Sequence, residues 1–199
     1  MNRLLTWHRY EALKSQAADL IEDYALEYPV DPFRLASTLG LRVHTIELGS
    51  AFYTAACPYV EALATATSTV GSVRYDVYLD PLNVDCRQRF SLMHEISHIW
   101  LGHLDVSVAG DRQILEGEAN FLAQYLLAPD ALVGHWLPTL TSQAVHETFN
   151  VSWQTADLVV KRFQRAISKH GVDQEYDIRI LSNARRAVHL ETRSTGGAA

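Results

Sequence analysis

The fold that this sequence predicts is decided by residues 90–103, FSLMHEISHIWLGH. Apolar residues stand on nearly every side of the helix that this stretch would form, and a helix that is hydrophobic all round lies inside a protein. His94 and His98 are four positions apart, so they share one face of the helix and can bind one metal ion. Glu95 is about 100° further round the axis. It is therefore poorly placed as a third ligand but close enough to contact a water molecule held at the ion.

The His-Glu-x-x-His motif does not by itself establish a metal site, because the chain contains 9 histidines. Burying an imidazole or a carboxylate without a partner costs roughly 2–7 kcal/mol for each polar group. The partner is either a metal ion or a set of hydrogen bonds. The alternative to a metal site is thus a core helix with two hydrogen-bonded histidines.

A second helix, predicted over residues 111–128, offers the third ligand. Its amphipathic pattern puts Glu116 on the polar face and Glu118 within the apolar face. Because a glutamate is almost never fully buried unless it is paired, we expect Glu118 to bind the metal ion or, alternatively, a buried arginine or histidine. Two histidines and one glutamate leave a fourth position open for water, which is the pattern of catalytic zinc sites.

His103 is out of register with the HExxHxxGxxH pattern, so it is not predicted to be a ligand. We expect it to support a ligand or to have a structural role. A peptidase also needs a donor that stabilises the oxyanion of the transition state. The sequence leaves four candidates for this donor: His103, Tyr125, His135 and His146.

Size and composition limit the remaining possibilities. A chain of 199 residues with 48% hydrophobic residues fits one domain, or one domain with a small appendage. A net charge of −6 argues against bulk affinity for nucleic acid. No signal peptide, membrane span or disulfide framework is recognised. We therefore expect a cytoplasmic protein with no membrane partner and with reduced cysteines.

The order of the predicted elements indicates an α+β fold in which a small sheet packs on the HExxH helix and further helices follow. Asp85 and Gln88 resemble a capping box at the start of that helix. The predicted domains are 1–140, a helical extension over 141–183 and a disordered tail over 184–199. The other predicted elements are helices over 8–28, after Asp31-Pro32, over 142–149 and over 153–169, and strands over 41–48, 59–67, 73–79 and around 176–180.

Residues 87–103, RQRFSLMHEISHIWLGH, and residues 116–123, EGEANFLA, together resemble the ImmA/IrrE family of metallopeptidases. Shorter stretches that also look like the family extend the resemblance over about residues 10–170. One departure is Ser97, which stands where the family has glycine. The resemblance implies a zincin-like domain in which His94, His98 and Glu118 bind zinc and Glu95 is the catalytic base. It also implies that transcription repressors are the substrates.

The leading prediction is a zinc-dependent endopeptidase that cleaves a regulatory protein, namely a phage-type helix-turn-helix repressor. Mn²⁺ or Fe²⁺ would suit the same ligands. The alternative is a non-proteolytic DNA-associated regulator, or a toxin–antitoxin component, on the same scaffold. A basic edge on the helix over 153–169 favours DNA binding, but a solvated face is the simpler interpretation. This edge consists of Lys161, Arg162, Arg165 and Lys169.

Overall fold

The computed structural model describes residues 5–45, 62–69, 72–105, 111–169 and 171–184. It is an α+β structure with a small sheet and mostly helices, as the sequence predicts for the class. Residues 175–184 are also helical. The elements are α1 (Trp7–Asp23), α2 (Pro32–Thr38), β1 (Arg42–Thr45), β2 (Ala62–Thr69), β3 (Ser72–Leu79), α3 (Asp85–Trp100), α4 (Arg112–Leu127), α5 (Asp130–Trp136), α6 (Ser142–Phe149) and α7 (Trp153–Lys169).

The chain divides into two compact units, and the candidate site lies in the first. Unit 1 consists of Met1–Tyr10 with Asp31–Ala123, and unit 2 consists of Glu11–Val30 with Gln124–Ala199. The predicted boundary at residue 140 stays a prediction. Residues 185–199, which make up all but the first residue of the predicted tail, lie outside the described residues.

The sheet of unit 1 has the strand order β1-β3-β2, with β3 parallel to β1 and antiparallel to β2. One face of the sheet is apolar, because Ala64 pairs with Val77 and both side chains are buried. Helix α3 packs against β2 and β3. Its own buried side chains on the core side include Leu92, Met93 and Ile96. The predicted packing of a small sheet on the HExxH helix is therefore present.

The ends of α3 show which local signals in the sequence were informative. The helix begins at Asp85, but Val84 is its N-cap and makes no side-chain capping bond. The predicted capping box is therefore wrong, and Gln88 instead donates to the carbonyl oxygen of Asn83 at 2.6 Å. At the other end, Gly102 has φ +72°, a left-handed conformation that ends the helix as predicted.

The predicted strand around residues 176–180 is wrong, because residues 175–184 form a helix. Tyr176, Ile180 and Ala184 are buried at a spacing of four, while Ile178 is 58% exposed. The alternation of Tyr176, Ile178 and Ile180 thus imitated a strand although Ile178 faces solvent. Among the described residues, every helix is too short or too polar to cross a lipid bilayer.

Candidate metal centre

Helix α3 brings the two motif histidines together, as their spacing predicts. Nε2 of His94 lies 3.0 Å from Nε2 of His98. The side chains are 15% and 11% exposed, so the pair is largely buried but can still be reached from solvent. Ser97 lies between them in sequence, is fully buried and donates to the carbonyl oxygen of Met93 at 2.7 Å. The serine that replaces the family's glycine is therefore accommodated inside the helix.

Glu116 of α4 completes a group of three possible ligands. Its Oε2 lies 3.3 Å from Nε2 of His94 and 3.7 Å from Nε2 of His98. The potential ligand atoms of the three residues all lie within 4.8 Å of one another, so the group could hold a metal ion. Two imidazole nitrogens and one carboxylate oxygen are a donor set that suits Zn²⁺ and related divalent ions. The Glu116 side chain is 44% exposed, which leaves one side of the group open.

The electrostatics of the group favour neutral imidazoles. Burial, followed by the neighbouring His94, lowers the pKa of His98 to about 4. Burial also lowers the pKa of His94, although the nearby Glu116 carboxylate opposes this effect. Both rings are thus uncharged at neutral pH. Only the neutral imidazole has a nitrogen lone pair free for a metal, so the group is in the form that binds a cation.

Glu95 is held at the buried side of the same helix. Its Oε2 accepts a hydrogen bond of 2.8 Å from the backbone N–H of Ala64 in β2. Burial raises the pKa of Glu95 to about 7, the Ala64 hydrogen bond opposes this shift, and the charge of Glu116 adds to it. A carboxyl group with a pKa near neutral can both accept and release a proton at pH 7. The influence of Glu116 also shows that Glu95 lies within electrostatic range of the group.

Glu118, the predicted third ligand, contacts Arg9 and His103 in this structure, whereas Glu116 lies beside the two histidines. The prediction that Glu118 is a ligand stays a prediction. Arg9 donates to Glu118 from Nε at 2.5 Å and from Nη2 at 2.6 Å. Burial raises the pKa of Glu118, but its bonds with Arg9 and His103 outweigh burial and hold the pKa below its usual value. This pairing is the alternative that the sequence left open, a buried partnership with an arginine and a histidine. Two positions along a helix turn the side chain by about 200°, so Glu116 and Glu118 cannot face the same point.

His103 contacts one of the motif histidines, His98, and also Glu118. Its Nδ1 lies 3.0 Å from Nδ1 of His98, and its Nε2 lies 3.1 Å from Oε2 of Glu118. Burial lowers the pKa of His103, although its bond with Glu118 opposes the shift. The predicted role of His103 as a residue that supports a ligand stays a prediction. Its role as an oxyanion donor stays a prediction.

The other candidate oxyanion donors belong to unit 2. Tyr125 is fully buried, and its hydroxyl donates to Asp177 at 3.4 Å. His146 contacts the carbonyl oxygen of Val151 through Nδ1 at 2.5 Å. The described contacts of both residues lie within unit 2. His135 is exposed.

Sequence reasoning assigned no role to Glu116, which lies beside the histidines, or to Arg9, which pairs with Glu118. The sequence did offer a signal for Glu116, because its pattern places this residue on the polar face of α4, where side chains that bind metals can lie. Arg9 carried no such signal, since it is separated from Glu118 by 109 positions in the chain. Only the tertiary structure brings it to the site.

A helix that carries HExxH, a small sheet packed on it and a glutamate from the next helix define a metallopeptidase-like domain. The model of the IrrE N-terminal-like domain of the peptidase M78 family matches residues 36–160. The chain belongs to this family, which confirms the resemblance seen in the sequence. A comparison with curated proteins finds no match.

Proposed function

We propose that this protein is a zinc-dependent endopeptidase with a zincin-like domain, and that His94, His98 and Glu116 hold the metal. The observation that carries the proposal is the convergence of two neutral imidazoles and one carboxylate beside the buried Glu95. The family match supports a peptidase-like domain independently of this geometry. The Glu116 side chain is 44% exposed, which supports access of a large substrate to this side of the group.

A divalent ion bound at this group would activate a water molecule and polarise the carbonyl of the scissile bond. Glu95 accepts the proton of the attacking water and passes it to the leaving amine. The hydrogen bond from Ala64 fixes the carboxylate of Glu95 against strand β2. Holding the proton acceptor in one place removes part of the entropic cost of the reaction.

We propose a regulatory protein of the helix-turn-helix repressor type as substrate, and the resemblance stated above is the support for it. The DNA-binding alternative loses part of its basis in the structure. Arg162, the second member of the basic edge, donates to Asp130 at 2.9 Å and to Gln124 at 3.0 Å and is 11% exposed. A buried arginine paired in this way is not available to phosphate groups.

Cleavage tests the proposal directly. We expect the zinc-loaded protein to cut a helix-turn-helix repressor, or an unfolded general protein substrate, into discrete fragments. A chelator should stop cleavage and added Zn²⁺ should restore it. Cleavage that continues in the metal-free protein would contradict the proposal, as would the absence of cleavage of any substrate by a protein shown to contain one zinc ion.

Glu116→Ala is expected to lower the affinity for Zn²⁺ by more than about 100-fold, because effects above this range indicate a direct ligand rather than a supporting residue. Glu118→Gln should still bind one zinc ion per chain at micromolar concentration. The measurement is metal content after dialysis, followed by competition with a chromophoric chelator. The reverse result, with zinc lost only from Glu118→Gln, would make Glu118 the third ligand.

A further inference from the structure

Arg9, Glu118 and His103 form a continuous hydrogen-bonded chain that ends on His98. We propose that this chain is a positioning device that fixes the ring orientation and the tautomer of His98, so that its Nε2 points at the metal with a free lone pair. The inference rests on the proposed function, since it assumes that His98 is a metal ligand. In this inference Glu118 helps to orient His98 without contacting it, because two hydrogen bonds through His103 connect the two residues.

The donors and acceptors of this chain fit only one arrangement with neutral imidazoles. Arginine only donates, so Glu118 accepts from Arg9 through both oxygens. Glu118 then also accepts from Nε2–H of His103, which leaves Nδ1 of His103 as an acceptor. The proton between the two Nδ1 atoms, 3.0 Å apart, therefore belongs to His98. With its proton on Nδ1, His98 presents an unprotonated Nε2.

The local structure shows why this chain is well ordered. The left-handed Gly102 turns the backbone directly after α3, which lets His103 fold back onto His98. The backbone N–H of His103 donates to the carbonyl oxygen of His98 at 2.9 Å and closes this turn. The side chains of His103 and Glu118 are 3% and 7% exposed, so these two members are shielded from water, whereas the Arg9 side chain is 37% exposed. A buried carboxylate needs a paired cation, and Arg9 is that cation for Glu118, to which it donates two hydrogen bonds.

The cation at the end of the chain comes from outside the region that the family model matches. Arg9 lies in α1, whereas the family model matches residues 36–160. Ligating histidines generally donate their second N–H to a carboxylate or carbonyl group, which fixes the ring. Here a second imidazole stands between the ligand and the carboxylate. The N-terminal segment is thus expected to contribute to metal affinity without contacting the metal.

The first test uses the wild-type protein without metal. Side-chain ¹⁵N NMR of histidine distinguishes a proton on Nδ1 from a proton on Nε2. We expect His98 to carry its proton on Nδ1 and His103 to carry its proton on Nε2. A proton on Nε2 of His98 would overturn the inference, whatever the variants show.

The second test measures zinc affinity by competition with a chromophoric chelator. Arg9→Met and Glu118→Gln are expected to weaken zinc binding by about 10- to 100-fold, the usual effect of losing a residue that orients a ligand. Arg9→Lys keeps the charge but not the two-bond geometry, so its affinity should fall between those of Arg9→Met and the wild type. Unchanged affinity in Arg9→Met and Glu118→Gln would overturn the inference.

Arg179→Met is the matched control for Arg9→Met. Arg179 also binds carboxylates through Nε and Nη2, but its partners Glu22 and Asp19 are exposed residues of unit 2. Its loss should leave both zinc affinity and the tautomer of His98 unchanged. A wild-type protein that binds no zinc would contradict the proposed function. The tautomer of His98 would still decide whether the positioning chain exists.

Discussion

Glu95→Gln is expected to lower peptide hydrolysis by about 10²- to 10⁴-fold while zinc stays bound at one ion per chain. The amide has nearly the shape of the carboxylate, and its oxygen can still accept the hydrogen bond from Ala64 that Glu95 accepts at 2.8 Å. It cannot accept the proton of the attacking water. The variant therefore removes one chemical step and keeps the packing of α3 on β2. The measurement is the cleavage rate of a repressor substrate, taken together with metal content.

Glu147→Gln provides the matched control, because it makes the same chemical change at an exposed position of a helix in unit 2. Glu147 accepts a hydrogen bond of 2.9 Å from the Gln143 side chain, one turn earlier in α6. The cleavage rate of the Glu147→Gln variant should equal that of the wild type. If Glu95→Gln cleaved as fast as this control, Glu95 would not be the proton acceptor. If Glu95→Gln lost its zinc, the prediction that zinc stays bound in this variant would be wrong. Glu95 would then be needed for metal binding rather than only for proton transfer.

Much of the fold could be predicted because its signals are local. Asp31 caps α2 by accepting from the backbone N–H groups of Phe33 and Arg34, and the Asp-Pro pair at this position predicts such a cap. The bounds of α6 and α7 agree with the prediction, since Ser152 accepts from the backbone N–H of Thr155 and marks the start of α7. The prediction failed where exposed and buried apolar residues alternate, as in the helix over 175–184. Ile178 looks like a core residue in the sequence but faces solvent.

The candidate site divides in the same way between local and tertiary information. The spacing of His94 and His98 is a property of one helix, so the sequence was sufficient to pair them. The choice between Glu116 and Glu118 depends on which face of α4 is turned to α3, and the hydrophobic pattern pointed to the apolar face. On that face Glu118 pairs with Arg9, which lies 109 positions away in the chain. A buried carboxylate therefore indicates a partner without showing whether the partner is a metal or an arginine.

Asp130 lies at the centre of a buried charge cluster in unit 2, and we expect its loss to lower the stability of that unit. The Asp130 side chain is 1% exposed; it accepts from Nε of Arg162 at 2.9 Å and lies 3.6 Å from Nζ of Lys14. Both cations also lie over the ring of Tyr125, at 5.0 Å for Arg162 and 5.9 Å for Lys14. These ring contacts add attraction but do not replace a carboxylate.

Asp130→Ala is expected to lower the free energy of unfolding by about 3–5 kcal/mol, measured by urea denaturation, because it leaves the buried Arg162 without its anion, while Lys14 keeps Glu11 at 3.3 Å. Asp19→Ala is the control, since Asp19 pairs with Arg179 at 2.8 Å but is 47% exposed. An exposed pair contributes roughly 0–1 kcal/mol, so the control should unfold close to the wild type. Equal losses in the two variants would mean that Lys14 and Arg162 regain solvent or other partners when Asp130 is removed. In that case the cluster would not hold the helices of unit 2 together.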